Sequence, residues 1–140
     1  MFEINSKKNK NSLAFYCDST EYSGVQKIAQ KVAADVKKVL GINPSFVKDY
    51  SSYEHSVIFG TIGQSTTIDS LSSKINLETI EGKRECFIFK IIGTDLVIAG
   101  SDKRGTIYGL FHLSKLLGVS ALVNWADVVP AKKDKFTLTE

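Results

Sequence analysis

The chain has 140 residues, of which 43% are hydrophobic and 24% are charged, and its formal net charge is +3 at pH 7. This length fits one domain, and no apolar run approaches the ~20 residues of a membrane span, so we expect no membrane partner. The positive excess falls in residues 1–10 and 131–140 while residues 11–130 are neutral, which argues against the basic face of a nucleic-acid-binding protein.

Leader segments, thiols and histidines restrict the chemistry further. The N-terminal sequence has no apolar segment typical of a signal peptide, and the compartment stays open between cytoplasm and exterior. Cys17 and Cys86 lie in apolar runs, where thiols behave as small hydrophobes, so we expect both in the core. Two histidines, His55 and His112, without CxxC or HxxxH spacing predict no metal site and no cofactor, and we expect a structural role for His112.

The first half of the chain alternates strands with one long helix. Apolar residues recur every three or four positions across 22–40, which predicts a helix with one buried face. Around it we predict a strand at 13–17, the helix end at Gly41, a short strand at 44–47, a stronger strand at 56–59, a glycine-containing turn at 60–63 and a short helix at 65–73.

The second half begins with a predicted hairpin. Strands at 85–92 and 95–99 are joined by Gly93-Thr94, a pair that suits a type II′ turn. The first strand is mostly apolar on both faces, which favours a central position in the sheet. A helix at 102–117 and a strand leading to Trp125 follow, and we predict that one side of that helix carries Ile107, Leu110, Phe111, Ser114 and Leu117.

The order of elements predicts the fold class. Two long helices between strands indicate crossover connections, while the hairpin requires an antiparallel pair. The simplest arrangement is a mixed β-sheet with two long helices packed on it, an α/β (α+β) fold.

The elbow at 100–106, GSDKRGT, joins the last hairpin strand to the last helix. It has neither the G-x-x-x-x-G-K-[ST] nor the G-x-G-x-x-G pattern of phosphate-binding loops, which argues against a nucleotide-binding enzyme. We expect Ser101 or Asp102 to cap the helix. Lys103 and Arg104 either point to solvent or face an anionic group or a neighbouring domain, with Arg104 better shaped for a carboxylate.

Two glycines, Gly105 and Gly109, lie four positions apart in the predicted last helix. Each costs about 1 kcal/mol of helix propensity relative to alanine. We therefore expect them to permit a close approach of the helix to the sheet.

A resemblance to a known family extends over nearly the whole chain. Its central motif is VIAGSDKRGTIYG at 97–109, and it continues through 113–114, 118–120 and 125–128, with upstream matches at 60–63, 68–69 and 33–35. These residues resemble the N-terminal region of glycoside hydrolase family 115, α-glucuronidases that remove glucuronic acid or its 4-O-methyl ether from xylan. The sequence departs from that family at 121–124, ALVN, where members carry a proline and several aromatics.

The resemblance implies an organisation. Residues 1–140 would form one N-terminal accessory domain, similar to the small domain preceding the barrel in hexosaminidases. From their excess of charge, we expect residues 1–10 and 131–140 to be flexible ends. The family's acid and base groups lie in a downstream (β/α)8 barrel, which needs about 250 residues. The resemblance therefore implies no catalytic residue in this chain, and the fragment alone would be inactive.

The resemblance and the polar elbow together suggest a domain interface. We expect Lys103, Arg104, Trp125 and Asp127 to contact substrate or the catalytic barrel of the same polypeptide. Through the full enzyme, the implied partner is a xylan-type polysaccharide. The alternative is a free-standing carbohydrate-binding or protein-interaction module.

Overall fold

The computed structural model describes residues 2–5, 13–40, 44–47, 55–71, 74–117 and 135–138. Its strands and α-helices, in chain order, are β1 (Phe2–Asn5), β2 (Leu13–Tyr16), α1 (Ser23–Leu40), β3 (Ser45–Phe46), β4 (His55–Thr61), α2 (Thr66–Ser70), β5 (Phe87–Ile92), β6 (Asp95–Gly100), α3 (Lys103–Leu116) and β7 (Lys135–Leu138). A 3-10 helix at Leu77–Thr79 precedes β5. The predicted helix end at Gly41 and the predicted strand before Trp125 lie outside the described residues.

Five strands form a mixed sheet in the order β3-β2-β4-β6-β5. The first four run parallel to one another, while β5 pairs antiparallel with β6. The predicted mixed sheet with helices packed on it is therefore confirmed. Because parallel strands end at the same edge, the chain leaves β2, β4 and β6 side by side.

Helix α1 forms where the apolar periodicity predicts it. Lys37 and Lys38 lie in its last turn, where positive charge interacts favourably with the helix dipole. No helix among the described residues is both long and apolar enough to cross a membrane. The buried face of α1 consists of Val25, Ala29, Val32, Ala33, Asp35, Val36, Val39 and Leu40.

The hydrophobic core has two layers, one on each face of the sheet. On one face both long helices pack against strand residues such as Phe15, Phe59 and Ile98, each nearly inaccessible. On the other face Ile68 of α2 and Leu77 of the 3-10 helix cover the sheet. Both faces are covered, which is why the parallel strands are almost uniformly apolar.

Helix α3 lies unusually close to the sheet because of its two glycines. A methyl group on Gly105 would overlap the carbonyl oxygen of Cys86, and one on Gly109 would overlap the side chain of Ile98. The predicted close approach is confirmed. Of the residues predicted to share one side of α3, Leu110, Ser114 and Leu117 are buried and Ile107 packs against the core. Phe111 is 39% exposed, because the buried face is centred on the other side of Leu110, where Gly105, Gly109 and Leu113 lie.

Strand β5 lies at an edge of the sheet rather than at its centre. Its described partner is β6, whose other side pairs with β4. The prediction of a central strand is therefore wrong, although residues of β5 pack on both faces. Gly93 has φ +63° while Thr94 does not have a positive φ, which fits the predicted type II′ turn and excludes type I′.

The first and last described segments pair with each other. Strand β1 is antiparallel to β7, with Phe2 opposite Leu138 and Asn5 opposite Lys135. Neither β1 nor β7 is among the strands predicted from the sequence. The flexibility of the ends, residues 1–10 and 131–140, stays a prediction.

Candidate functional site

The carboxyl ends of β2, β4 and β6 form the candidate functional site. From β2 the chain passes through α1 to β3 on one side, whereas from β4 it continues to β5 and then β6 on the other. The direction of winding therefore reverses between β2 and β4. In open α/β sheets, ligands bind outside the carboxyl ends of the strands at such a reversal.

Asp18 follows β2 and accepts five hydrogen bonds, one from Tyr16 of β2 and four from groups around the start of α2, among them the Thr66 hydroxyl at 3.2 Å. Its Oδ2 accepts from the backbone N–H of Thr67 and the hydroxyl of Ser65, both at 2.9 Å. Its Oδ1 accepts from the hydroxyls of Tyr16 at 2.7 Å and Thr67 at 3.0 Å. Partial burial favours the neutral carboxyl, but these bonds outweigh burial and hold the pKa of Asp18 well below its usual range.

Glu21 is buried at the same edge, with 5% of its surface exposed. Its Oε2 accepts the backbone N–H of Thr61 at 2.8 Å, and its Oε1 accepts the Thr61 hydroxyl at 2.7 Å. The Thr61 hydroxyl also lies 2.6 Å from the hydroxyl of Thr106 in α3. These three residues connect the start of α1, the end of β4 and the start of α3.

The direction of these hydrogen bonds follows from counting protons. A hydroxyl has one proton, and that of Thr61 is donated to the acceptor Glu21. Thr106 must then donate to Thr61, and its nearby carbonyls, Gly60 O at 3.3 Å and Asp102 O at 3.2 Å, are the alternative acceptors. We call Glu21, Thr61 and Thr106 the buried relay.

The elbow before α3 is organised by Asp102 and Ser101. Asp102 is the N-cap of α3: its Oδ1 accepts Gly105 N–H at 2.7 Å, and its Oδ2 accepts Glu85 N–H at 3.1 Å. The Gly105 bond is the main cause that lowers the pKa of Asp102. Ser101 exchanges two bonds with Cys86. The predicted capping of α3 is therefore confirmed at Asp102.

The two basic residues predicted for the site lie in the first turn of α3 and are exposed. Arg104 Nη1 is 3.0 Å from Glu85 Oε1, an exposed ion pair that raises the pKa of Arg104. The Lys103 side chain extends toward Gly24 at the start of α1. Trp125 and Asp127 lie outside the described residues, so the structure brings together only the basic half of the predicted set.

The edge is chemically self-contained. Asp18, Glu21 and Asp102 each accept at least two hydrogen bonds from the protein itself, and every buried side-chain polar atom in the described part of the chain has a partner. Among the described residues, no group of three or more His, Cys, Asp or Glu could hold a metal ion. The arrangement fixes loops and helix starts in place rather than offering an acid and a base to a substrate.

The cysteines and His112 take structural positions. Both cysteines are half-buried free thiols. Cys17, which follows the end of β2, packs against the core, whereas the prediction of a core position is wrong for Cys86, which precedes an edge strand. Burial raises the pKa of Cys17 to about 11, with Glu21 and Asp18 adding to the effect. His112 packs edge-on against Phe89, with ring centroids 4.9 Å apart.

Two acids at this edge were not singled out in the sequence analysis. They are Asp18 and Glu21. Most of their partners lie 40 to 49 positions away in the sequence, so no local spacing reveals these sites. The available signal is positional, since both residues follow a predicted strand.

Comparisons with known proteins identify the family of this chain and a solved structure similar to it. Residues 3–113 match the family described as the glycosyl hydrolase family 67 N-terminus. The chain belongs to this family. A solved family GH115 4-O-methyl-α-glucuronidase, with specificity for decorated arabinogalactans, is similar to this family 67 N-terminal domain at 32% identity and TM-score 0.84. The match covers 99% of this chain and 17% of that enzyme chain, so the resemblance to α-glucuronidases is confirmed.

A second solved structure is more distant from this family 67 N-terminal domain. It is a GH138 enzyme targeting pectin rhamnogalacturonan II, with TM-score 0.48 and 14% identity over 86% of this chain and 14% of that chain. This likeness is too weak to bear on the argument. None of the curated proteins compared with the chain matches it.

Proposed function

We propose that this domain is a non-catalytic accessory part of an α-glucuronidase-type glycoside hydrolase and that it packs against a downstream catalytic barrel. The observation that carries the proposal is the coverage of the GH115 match: almost all of this chain corresponds to 17% of that enzyme. That coverage means that the enzyme is several times the length of this chain. The rest of the enzyme is therefore long enough to contain a barrel of about 250 residues.

The hydrogen bonds of Asp18 and Glu21 support a non-catalytic role. Glycosidases use two carboxyl groups that face the scissile bond. At the candidate site Asp18 and Glu21 instead accept hydrogen bonds from loops and helix starts of their own domain. A carboxylate held in this way has a structural function, because protonation or movement would release its partners.

The exposed end of α3 supports a contact role. Lys103 and Arg104 project from the same edge of the sheet, and their positions are fixed by the Asp102 cap. We propose that they meet the catalytic barrel or its substrate, together with Trp125 and Asp127. Arg104 would then pair with a carboxylate across the contact, either in place of Glu85 or together with it.

The substrate of the full enzyme is proposed by class. The similar GH115 enzyme is described as specific for decorated arabinogalactans, and the sequence resemblance implies xylan. Both are polysaccharides, and the sugar acid that such enzymes remove from them is glucuronic acid or its 4-O-methyl ether. We propose release of that sugar acid from a xylan-type polymer by the full enzyme.

A release assay tests the proposal. The 140-residue chain is incubated with 4-O-methylglucuronoxylan, and free 4-O-methylglucuronic acid is measured by chromatography. We expect no release above a boiled-protein control. The non-catalytic role would be overturned if the chain released this sugar acid and a substitution of one of its residues abolished the release.

The barrel contact is tested in the longest product of the reading frame that contains this chain. We expect Lys103→Glu with Arg104→Glu to lower the melting temperature of that product, while Lys74→Glu with Lys83→Glu, an equal charge change elsewhere, has a smaller effect. Both pairs are exposed in the isolated domain. Equal effects of the two pairs would contradict the proposed contact.

A further inference from the structure

Charge is segregated in this domain although residues 11–130 are neutral as a whole. Helices α1 and α3 pack on the same face of the sheet, and the one acid in them, Asp35, is buried against Ser114. Their outer surface therefore carries basic residues without an exposed acid of their own. These are Lys27, Lys31, Lys37, Lys38, Lys103, Arg104 and Lys115.

The exposed residues of each helix form a longitudinal row. On α1, Lys27, Lys31 and Lys38 are spaced by four and seven positions, which places them within about 60° of one another around the helix axis. They extend over roughly 16 Å at a rise of 1.5 Å per residue. All three are exposed.

Helix α3 presents a second row that includes aromatic rings. Arg104, Tyr108, Phe111 and Lys115 follow one another at spacings of four, three and four and also share one side. Tyr108 is 45% exposed and Phe111 is 39% exposed. Large aromatic side chains are more often covered than this, so their exposure beside cations marks a candidate contact surface.

The two rows join into one surface. Lys31 Nζ lies 5.8 Å from the centroid of the Phe111 ring, within the range of a cation–π contact. We call Lys27, Lys31, Lys38 and the row Arg104, Tyr108, Phe111 and Lys115 the basic aromatic surface. Its rim contains one exposed acid among the described contacts, Glu85, which pairs with Arg104.

We propose that the basic aromatic surface binds a polysaccharide chain through its uronic acid carboxylates. Ammonium and guanidinium groups pair with carboxylates, and exposed aromatic rings offer flat apolar area to the faces of sugar rings. Charge complementarity selects an acidic polymer over a neutral one. The identity of the polymer as a polysaccharide rests on the proposed function, whereas the surface itself rests on the exposed residues of α1 and α3.

Binding is measured by NMR titration of the uniformly 15N-labelled 140-residue chain with 4-O-methylglucuronoxylan oligomers. We expect amide shifts in α1 and α3 and no shifts with the same oligomers after reduction of their carboxyl groups to alcohols. Lys27→Glu with Lys31→Glu should weaken binding at least tenfold. The matched control, Lys74→Glu with Lys83→Glu, makes the same change in net charge outside both helices and should weaken it less than threefold.

Several results would overturn the inference. Equal weakening by the two double variants would mean that net charge alone drives association, and equal binding of the carboxyl-reduced oligomers would exclude carboxylate recognition. Equal affinity for a DNA duplex would identify a general polyanion surface. Protection of the Lys31 amine from acetylation in a longer product, without polysaccharide, would assign the surface to a protein contact. None of these results changes the release assay, which tests the accessory role separately.

Discussion

Replacing Glu21 with glutamine tests the order of the hydrogen bonds in the buried relay. The backbone N–H of Thr61 can only donate, so it orients the new amide with its oxygen toward this N–H. The amide nitrogen then faces the Thr61 hydroxyl, which must turn to accept, and the Tyr22 N–H, which loses the acceptor that it has in Oε1 at 3.2 Å. Its proton passes to the Thr106 hydroxyl, which in turn donates to the carbonyl of Gly60 or Asp102, at 3.3 Å and 3.2 Å.

The magnitude follows from the bonds that survive. The reversed chain keeps every buried hydroxyl paired. Glu21→Gln loses the charge assistance of the two bonds from Thr61 and the bond from the Tyr22 N–H, about 1 kcal/mol each. Thr106→Val alone removes one donated bond at a cost of about 1 kcal/mol. Combined with Glu21→Gln it leaves the Thr61 proton buried without an acceptor, which adds about 1–2 kcal/mol beyond the sum of the single changes.

A double-mutant cycle by urea unfolding measures this coupling. With a denaturant dependence of about 2 kcal/mol per molar, the extra destabilisation shifts the midpoint of the double variant by about 0.5–1 M urea below the additive value. Thr106→Ser serves as the control, because serine keeps the hydroxyl and should show little coupling with Glu21→Gln. Additivity within about 0.3–0.5 kcal/mol would refute the ordered relay.

Three further predictions concern α3, Asp18 and Cys17. Gly105→Ala should lower the free energy of unfolding by about 1–3 kcal/mol, because its methyl group meets the Cys86 carbonyl, as measured by urea unfolding. The low pKa of Asp18 means that its stabilisation is complete above the unfolded value of about 3.9 and is lost as the pH falls; the stability difference from Asp18→Asn should be constant from pH 5 to 8 and shrink below pH 4. With the pKa of Cys17 at about 11, its alkylation at pH 8 in a Cys86→Ser background should be about 100-fold slower than that of free cysteine.

Each of these predictions has a contradicting outcome. A gain in stability from Gly105→Ala, as helix propensity alone would give, would show that α3 is not held against the sheet. A difference between wild type and Asp18→Asn that persists unchanged to pH 2.5 would mean that the carboxylate is not the bonded species. Cys17 must alkylate at the rate of free cysteine once the chain is unfolded in urea, and equal rates in the folded protein would contradict its burial.

Periodic elements were predictable because their signal is local. The buried face of α1 follows directly from apolar residues at spacings of three and four, and the hairpin turn follows from Gly93. The side predicted for α3 is buried at Leu110, Ser114 and Leu117 but not at Phe111, since the contact face extends from Leu110 toward Gly105 and Gly109, which carry no apolar side chain to mark its centre. The edge position of β5 depends on which strands pair across the sheet, and its own sequence does not encode that.

In the candidate site, too, contacts between residues close in sequence were predictable and contacts between distant residues were not. The Asp102 cap was predictable because its partner, Gly105, is three residues away. Glu21 and Thr61 are separated by 40 positions, and only the parallel pairing of β2 with β4 brings their loops together. The charged rows likewise escaped a count of net charge, because neutrality of residues 11–130 conceals the burial of Asp35 and the clustering of lysines such as Lys31 on one side.

The pairing of β1 with β7 also determines how the domain responds to tension. Phe2 and Leu138 face each other at the open end of the ribbon, whereas Asn5 and Lys135 face each other at its inner end. A pull applied through the two ends of the chain therefore loads these residue pairs one after another, as in unzipping, instead of all at once. The ribbon would separate at low force and lengthen the attachment while the five-stranded sheet stays folded, so the domain could shift relative to whatever it is joined to without losing its core.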